Sequence, residues 1–276
     1  MRYFLCLSYD GSAFCGWQIQ PSAPSVQQCL ESTLSRLLGR PVAVTGAGRT
    51  DTAVNAANYV AHFDWDGILP FEVSDFTYKL NAMLPREVVV HSVSEVADDL
   101  HARFSARRRE YTYFIHRQKD PFVRAYSWQC GYPQLDFEAM NRACQFLLGT
   151  HDFSCFEKTG TDNKTSICTV YDAYWAPYTP SHIQIMGESE EGSTLPGACP
   201  PPDKVLPSSE SAYWYFRIAA DRFLRNMVRA TVGTLIEVGR GKHEPEWVAE
   251  LIKNGSRGDA GESVPGNALF LNKVDY

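Results

Sequence analysis

The sequence has no apolar run near the roughly 20 residues that a membrane-spanning helix needs. Its eight cysteines are never closer than nine positions apart, so the CxxC motifs of zinc and redox sites are absent. Its seven histidines show no metal-ligand spacing, and neither GxSxG nor HExxH occurs. These absences exclude an integral helical membrane protein and a disulfide scaffold, and they leave a metalloenzyme or a serine hydrolase without support. We predict free buried thiols in a reducing cytoplasm, and no metal.

The composition is that of a folded globular protein, with 44% hydrophobic and 13% aromatic residues. At 276 residues the chain is long enough for two α+β halves, which we assign to residues 1–105 and 106–276. Residues 187–211 differ in kind, being rich in Gly, Ser, Glu and Pro. We interpret them as an exposed insertion that carries no chemistry.

Hydrophobic periodicity predicts runs of strands joined by a few helices, which favours an α+β fold over a doubly wound parallel sheet. Ser25 and Gly39 bound the first predicted helix. The predicted helices cover residues 26–38, 78–83, 137–148 and 221–238. The predicted strands cover residues 3–9, 42–44, 59–63, 88–90, 110–115, 168–175 and 213–219.

The formal net charge of −6 conceals two basic segments. Residues 101–117 and 217–242 each carry a net charge of +4, so the rest of the chain is strongly acidic. Their basic side chains are Arg103, Arg107, Arg108, Arg109, Arg117, Arg217, Arg222, Arg225, Arg229, Arg240 and Lys242. Such a distribution suits a protein that binds a polyanion at one place and repels it elsewhere, although arginines also solvate ordinary surfaces.

The densest cluster of chemistry-bearing residues is Gly46-Ala47-Gly48-Arg49-Thr50-Asp51. Its glycines allow a tight turn and a close approach to a ligand, but no Lys-Ser/Thr follows, which argues against a P-loop. A β-turn whose aspartate bonds its own backbone explains the segment in isolation. The alternative makes Asp51 a reactive carboxylate that a neighbouring arginine keeps ionised.

Two further segments combine cations with aromatic or apolar side chains. Arg109 and Tyr111 share one face of a predicted strand, where a cation beside a tyrosine can hold a phosphate and stack a base. Arg222, Arg225 and Arg229 form one stripe of the last predicted helix. Tyrosine favours strands in any case, and stripes of this kind are usually solvated, so neither segment identifies a function alone.

Several motifs occur in order along the chain: Tyr9-Asp10-Gly11, Gly16-Trp17-Gln18, Gly48-Arg49-Thr50-Asp51, a segment from His101 to Ala106, a strand from Arg109 to Tyr113, and a helix from Phe223 to Arg229. Their order and rough spacing resemble those of the TruA-type tRNA pseudouridine synthases over nearly the whole chain. Only the insertion at 187–211 lies outside the resemblance. Several motifs in a common order are far more specific than any one of them.

The resemblance implies two RRM/ferredoxin-like halves that share an extended, mostly antiparallel sheet flanked by helices. It implies an enzyme that isomerises uridine to pseudouridine at positions 38 to 40, in the anticodon arm of tRNA, without a metal, nucleotide or other cofactor. It also implies a homodimer with a positively charged cleft. The chemistry agrees, because exchanging a C–N for a C–C glycosidic bond needs an anionic carboxylate but neither redox chemistry nor hydrolysis.

The resemblance also assigns roles to single residues. By its place in the Gly-Arg-Thr-Asp motif, Asp51 would be the catalytic aspartate. Tyr111 would contact the target uridine, Arg229 would pair with the aspartate, and Leu269 would wall the pocket, while Arg49 would bind substrate beside Asp51. The basic segments add expected contacts to the RNA backbone, from Arg107, Arg108, Arg109, Arg222 and Arg225.

One segment departs from the family pattern. After the aspartate the family usually has Ala-Gly-Val-His-Ala, whereas this chain has Thr52-Ala53-Val54-Asn55-Ala56. Loss of the glycine removes easy access to positive φ, and loss of the histidine removes a titratable group. Two alternatives stay open: an RNA-binding module whose chemistry was lost with this loop, and a hydrolase that uses Asp51 as an acid or base. The hydrolase lacks an identifiable second carboxylate or metal cluster.

Overall fold

The computed structural model describes residues 1–66, 68–160, 164–187 and 211–276. The described residues form ten strands: β1 (Arg2–Tyr9), β2 (Thr45–Gly46), β3 (Asn55–Asp64), β4 (Val88–Val96), β5 (Arg108–His116), β6 (Trp128–Gln129), β7 (Gly149–Asp152), β8 (Ile167–Pro177), β9 (Tyr213–Ala220) and β10 (Leu269–Asp275). They also form six α-helices: α1 (Val26–Leu38), α2 (Val73–Met83), α3 (Phe137–Cys144), α4 (Ser181–Gly187), α5 (Met227–Gly239) and α6 (Trp247–Asn254). The predicted insertion at 187–211 lies outside the described residues, apart from its two ends.

The strands form one sheet in the order β4-β1-β3-β10-β5-β9-β8-β7, with β2 beside β3 and β6 beside β5. Neighbouring strands are antiparallel except for the pairs β3–β10 and β5–β6. Because β10 lies between β3 and β5, the last strand joins the first part of the chain to the remainder. The predicted α+β class with an extended, mostly antiparallel sheet is confirmed.

Helix α1 shows how local signals place an element. The Ser25 hydroxyl accepts a hydrogen bond from the backbone N–H of Gln28 at 3.2 Å, and Gly39 ends the helix in the left-handed region at φ 74°. The buried positions recur at helical spacing and include Val26, Leu30 and Leu34. The predicted bounds of this helix are confirmed.

Helix α5, in the second basic segment, begins later than predicted. It begins at Met227, well after the predicted start, because Asn226 has a φ of 66° that a right-handed helix cannot include. Arg222 and Arg225 consequently lie in the loop before α5. The prediction that they form a single helical stripe with Arg229 is wrong.

Two smaller differences concern element boundaries. The strand predicted at 42–44 is absent, because the N–H groups of Val42 and Val44 donate to side chains of α1 instead. The helix predicted over 137–148 ends at Cys144 and is followed by a turn of 3-10 helix. Such ends depend on contacts that hydrophobic periodicity does not report.

None of the described helices is long and apolar enough to cross a membrane. The seven described cysteines are all free. Four of them are buried, whereas Cys6, Cys15 and Cys29 are only half-buried. The prediction of free thiols is confirmed for these seven, and the prediction of burial is wrong for three.

Candidate active site

Asp51 lies on a loop that follows β2 and rests against an aromatic cluster. The rings of Tyr59 and Trp17 stack with their centroids 4.2 Å apart, and the ring of Tyr9 lies 5.5 Å from that of Tyr59. The Tyr59 hydroxyl donates a hydrogen bond to the carbonyl of Gly48 in the loop. The aromatic cluster therefore determines where the loop leaves the sheet.

Backbone and hydroxyl contacts set the direction of Asp51. The Thr50 hydroxyl lies 2.8 Å from the Tyr9 hydroxyl, and the Thr50 carbonyl accepts the N–H of Trp17 at 3.2 Å. The Asp51 carbonyl accepts the N–H of Val54 at 3.1 Å, which closes a tight turn. The Asp51 side chain is 28% exposed, so a ligand can reach it while the loop stays in place.

The residues after Asp51 keep a conformation that favours glycine. Ala53 has a φ of 63°, in the left-handed region. Asn55, where the family usually has histidine, is buried: its Oδ1 accepts the N–H of Gly11 at 2.8 Å. The Asn55 amide donates to the Asn267 carbonyl at 2.7 Å. This asparagine ties the Asp51 loop both to the end of β1 and to the segment before β10.

Two arginines flank the Asp51 carboxylate. Nη1 of Arg229, in the first turn of α5, lies 3.6 Å from Oδ2, and Nε of Arg225 lies 3.9 Å from Oδ1. Nε of Arg229 also donates to the Val264 carbonyl at 2.7 Å, which holds its guanidinium in place. The structure thus brings Asp51 and Arg229 together, and it adds Arg225 from the loop before the helix.

The charge of the Asp51 carboxylate contributes to the pKa of Tyr111. Burial raises the pKa of Tyr111 to about 12, Arg109 opposes the shift, and Asp51 adds to it. The ring packs edge-on against Phe223 with the centroids 5.0 Å apart. Tyr111 is therefore a neutral phenol at physiological pH, and it offers both a hydroxyl and an apolar ring to the site.

Leu269 lies on the same sheet face as Tyr111. Strand β10 runs antiparallel to β5, with Leu269 opposite Tyr113 and Leu271 opposite Tyr111. Directly paired residues point to one face of a sheet, and so do residues two positions apart. Leu269 is buried and lies diagonally across the strand pair from Tyr111, and its role as a pocket wall stays a prediction.

Arg109 is buried and donates only to carbonyl oxygens. Its guanidinium makes hydrogen bonds of 2.6 to 3.3 Å to the carbonyls of Ala47, Arg103, Ala106 and Asp221. Burial lowers the pKa of Arg109. All five N–H groups are used in these bonds, so none remains for a phosphate. In place of the expected RNA-backbone contact, Arg109 joins three backbone segments to one another: the loop at Ala47, the turn from Arg103 to Ala106, and the end of β9 at Asp221.

The other predicted arginines differ in exposure and place. Arg49 and Arg107 are exposed, and Arg222 is half-buried in the loop before α5. The Arg108 side chain points to the face of β5 opposite to that of Arg109 and Tyr111. Its Nη2 lies 3.7 Å from Oε2 of Glu110. Arg108 therefore does not join the carboxylate site.

The sequence does not predict the residues that position the Asp51 loop, which are Tyr9, Trp17, Asn55 and Asn267. Asn55 and Asn267 are 212 positions apart, so no local spacing connects them. The one available signal is the side-chain amide of Asn55 at the start of β3, because a buried amide needs hydrogen-bond partners.

Other clusters and cavities lie away from this carboxylate. Within the described ranges, no group of three or more His, Cys, Asp or Glu side chains could hold a metal ion. A cavity of about 620 Å³ runs along α5 and is lined by Trp128, Arg240 and Trp247 among others, but not by Asp51.

Comparison with known proteins identifies the family of this chain. The family model described as tRNA pseudouridine synthase matches residues 143–276. The tRNA pseudouridine synthase A of Bacteroides thetaiotaomicron is 45% identical over 276 residues, which cover 100% of this chain and 90% of the relative. The proteins of the same name from Bacteroides fragilis and Exiguobacterium sp. are 43% and 36% identical, over 100% of this chain and 96% and 98% of their own lengths. Because this identity extends over the whole length, the chain belongs to the tRNA pseudouridine synthase family.

Proposed function

We propose that this protein isomerises uridine to pseudouridine in the anticodon arm of tRNA, at positions 38 to 40, with Asp51 as the catalytic carboxylate. The proposal rests on one observation: the carboxylate lies between the guanidinium groups of Arg225 and Arg229 and is still 28% exposed. The charge of Asp51 adds to the rise in the pKa of the buried phenol of Tyr111. Family membership supports the reaction and the class of RNA.

The reaction replaces one glycosidic bond by another. The bond between N1 of uracil and C1′ of ribose breaks, a bond between C5 and C1′ forms, the hydrogen of C5 leaves as a proton, and N1 takes up a proton. No electron is gained or lost and no water is consumed, so the site needs an anion near the nucleotide and an enclosure for the detached base. Asp51 supplies the anion, either as a nucleophile or as the base for a sugar proton.

The two arginines flank the Asp51 carboxylate without forming hydrogen bonds to its oxygens. The separations of 3.6 and 3.9 Å from the two arginines are ion-pair distances longer than hydrogen bonds. Both carboxylate oxygens therefore stay available to a substrate. Tyr111 and Leu269 provide a phenol and an aliphatic wall against which the planar uracil can turn.

Exposed and half-buried arginines supply the contacts to RNA. Extruding the target nucleotide from its stack costs a few kcal/mol. We assign Arg49, Arg107, Arg222 and Arg225 to flanking phosphates, whose binding offsets that cost and weakens as salt is added. The family resemblance supports a homodimer that acts in the cytoplasm.

Tritium release from tRNA labelled at C5 of uridine tests the proposal. The wild type is expected to release tritium without added metal or nucleotide. Asp51→Asn keeps the shape but removes the anion, so release should fall by at least about 100-fold. The affinity for tRNA should stay nearly the same. The matched control is Asp66→Asn, which changes an exposed carboxylate 3.6 Å from Arg40 and should release tritium normally.

Two outcomes contradict parts of the proposal. Full release by Asp51→Asn removes the assignment of the catalytic carboxylate. Tight binding of tRNA by a wild-type protein that releases no tritium favours the alternative of an RNA-binding module without catalysis.

A further inference from the structure

Phe104 is a large apolar side chain that the fold holds in solvent. It is 76% exposed, although it belongs to a well-bonded turn. The N–H of Phe104 donates to His101 Nδ1 at 3.2 Å, and the backbone N–H of Ser105 donates to the His101 carbonyl at 2.9 Å. The His101 and Phe104 rings lie 4.4 Å apart. The ring is therefore presented in a defined place rather than on a loose loop.

The turn is also bonded to the body of the protein. The N–H of Ala102 donates to Nδ1 of His62 on β3 at 3.1 Å. The Tyr276 hydroxyl donates to the Ala102 carbonyl at 2.7 Å. Ala102 is fully buried by these contacts, whereas Phe104 two positions later is not. Single exposed apolar side chains are common on protein surfaces, so the position of Phe104 becomes informative only together with the charged groups near it.

Arg109 holds this turn beside the loop that carries Asp51. Its Nη2 donates both to the carbonyl of Ala47 at 3.0 Å and to the carbonyl of Arg103 at 2.6 Å. The two carbonyl oxygens share one nitrogen, so the two backbone segments are adjacent. Because Ala47 lies four positions before Asp51, Arg109 bonds the turn that carries Phe104 to the loop that carries the carboxylate.

Three exposed arginines lie on the two segments that Arg109 joins, and with Phe104 they form what we call the rim: Arg49, Arg103 and Arg107. The Arg103 guanidinium lies 5.5 Å from the centroid of Phe104. Among the described residues none of the three pairs with a carboxylate. On a protein with a net charge of −6, such a rim suits a ligand that is both anionic and planar, which is the chemistry of an RNA strand.

We propose that Phe104 stacks on a nucleobase of the bound tRNA next to the extruded uridine, while the rim arginines hold the flanking phosphates. The inference rests on the proposed function, since it names a contact of the same substrate. Stacking on an aromatic side chain tolerates any base, so Phe104 contributes affinity and position rather than sequence choice.

Equilibrium binding of tRNA at several salt concentrations tests the stacking. Phe104→Ala should weaken binding by about ten-fold or more at every salt concentration, leaving the salt slope unchanged. Phe104→Trp should bind like the wild type. Arg103→Gln should instead reduce the slope by about 0.7, because it removes one phosphate contact. The matched control is Tyr78→Ala on α2, where an aromatic ring is 75% exposed at a distant surface and binding should not change.

A fluorescent base gives a second, direct measurement. An anticodon stem-loop RNA with 2-aminopurine beside the target uridine should be quenched by the wild type and by Phe104→Trp, but less by Phe104→Ala. Binding and quenching by Phe104→Ala within two-fold of the wild type overturn the inference. A changed molecular mass of Phe104→Ala in light scattering also overturns it, because Phe104 then contacts another subunit. Failure of the proposed function differs from both outcomes, since it is a wild type that releases no tritium.

Discussion

Ala53 carries backbone strain two positions after the proposed catalytic carboxylate. Its φ of 63° costs a residue other than glycine about 1 to 2 kcal/mol. Neighbouring segments impose this conformation: the Ala53 N–H donates to the Phe14 carbonyl at 3.4 Å, and a Cβ at Gly11 would overlap the Val54 carbonyl. The loop keeps the shape that the family's glycine permits, because packing on both sides compensates for the strain.

We expect Ala53→Gly to raise the free energy of unfolding by up to about 1 kcal/mol, since glycine adopts positive φ without a steric cost. Urea unfolding followed by circular dichroism measures the change. The matched control is Ala57→Gly at an exposed position of β3, where the same exchange should lower the free energy of unfolding by roughly 0.5 to 1 kcal/mol. A less stable Ala53→Gly protein would contradict the assignment of strain.

At the scale of elements, helix α5 positions Arg229 through the segment packed along it. The N–H of Val264 donates to the Arg229 carbonyl at 3.3 Å, and the Val264 carbonyl accepts Arg229 Nε at 2.7 Å. Gly233, one turn later, lies so close to Glu262 that a Cβ would overlap the Glu262 carbonyl. Helix and segment therefore act as one unit that sets the guanidinium against the carboxylate.

Gly233→Ala tests this unit. Overpacking should lower the free energy of unfolding by roughly 1 to 3 kcal/mol, even though alanine is the better helix former. Tritium release should fall as well, because displacement of the segment moves the carbonyl that holds Arg229. Gly131→Ala is the control, as a Cβ there meets nothing within 4 Å. Equal stability and activity of the two variants would show that the close approach does not matter.

At the scale of the whole molecule, the proposed site is assembled from distant parts of the chain. The carboxylate follows β2, the phenol lies on β5, the arginines lie at the start of α5, and the leucine begins β10. Because β10 is inserted between β3 and β5, one strand brings these parts together. Loss of the global fold therefore separates every member of the site.

Buried histidines make the stability of this fold depend on pH. Burial lowers the pKa of His62 from 6.5 to about 4, and it also lowers the pKa values of His101 and His116. Between pH 6.5 and the lowered pKa values of the folded protein, the histidines of the unfolded chain bind more protons than those of the folded chain. The free energy of unfolding therefore decreases as the pH falls. We expect a lower melting temperature at pH 5 than at pH 7.

His62→Asn isolates the largest of these contributions. The asparagine oxygen can accept the N–H of Ala102, as Nδ1 of His62 does at 3.1 Å, but it does not titrate. Thermal denaturation of this variant should depend less on pH between 7 and 5 than that of the wild type. His91→Asn, at an exposed position, should keep the wild-type slope. If the melting temperature of His62→Asn depends on pH as strongly as that of the wild type, His62 is not the source of the pH dependence.

Elements with local signals were predictable, and elements that depend on distant partners were not. The bounds of α1 follow from Ser25 and Gly39, which lie at its own ends. The start of α5 depends on Asn226, whose side-chain amide donates to the Ser263 hydroxyl at 2.6 Å across 37 positions of sequence. No pattern around Asn226 reports that partner, so the predicted helix began too early.

The sequence by itself determined the family and the candidate carboxylate through its ordered motifs, and the α+β class through its hydrophobic periodicity, because residue type and spacing along the chain carry that information. Only the tertiary structure decided which side chains surround the carboxylate and which lie in solvent. Arg109 and Phe104 show the difference: the cation is buried on carbonyl oxygens and the apolar ring is exposed. The physical reason is that burial and hydrogen-bond partners are set by segments far apart in sequence, which meet only after the sheet has formed.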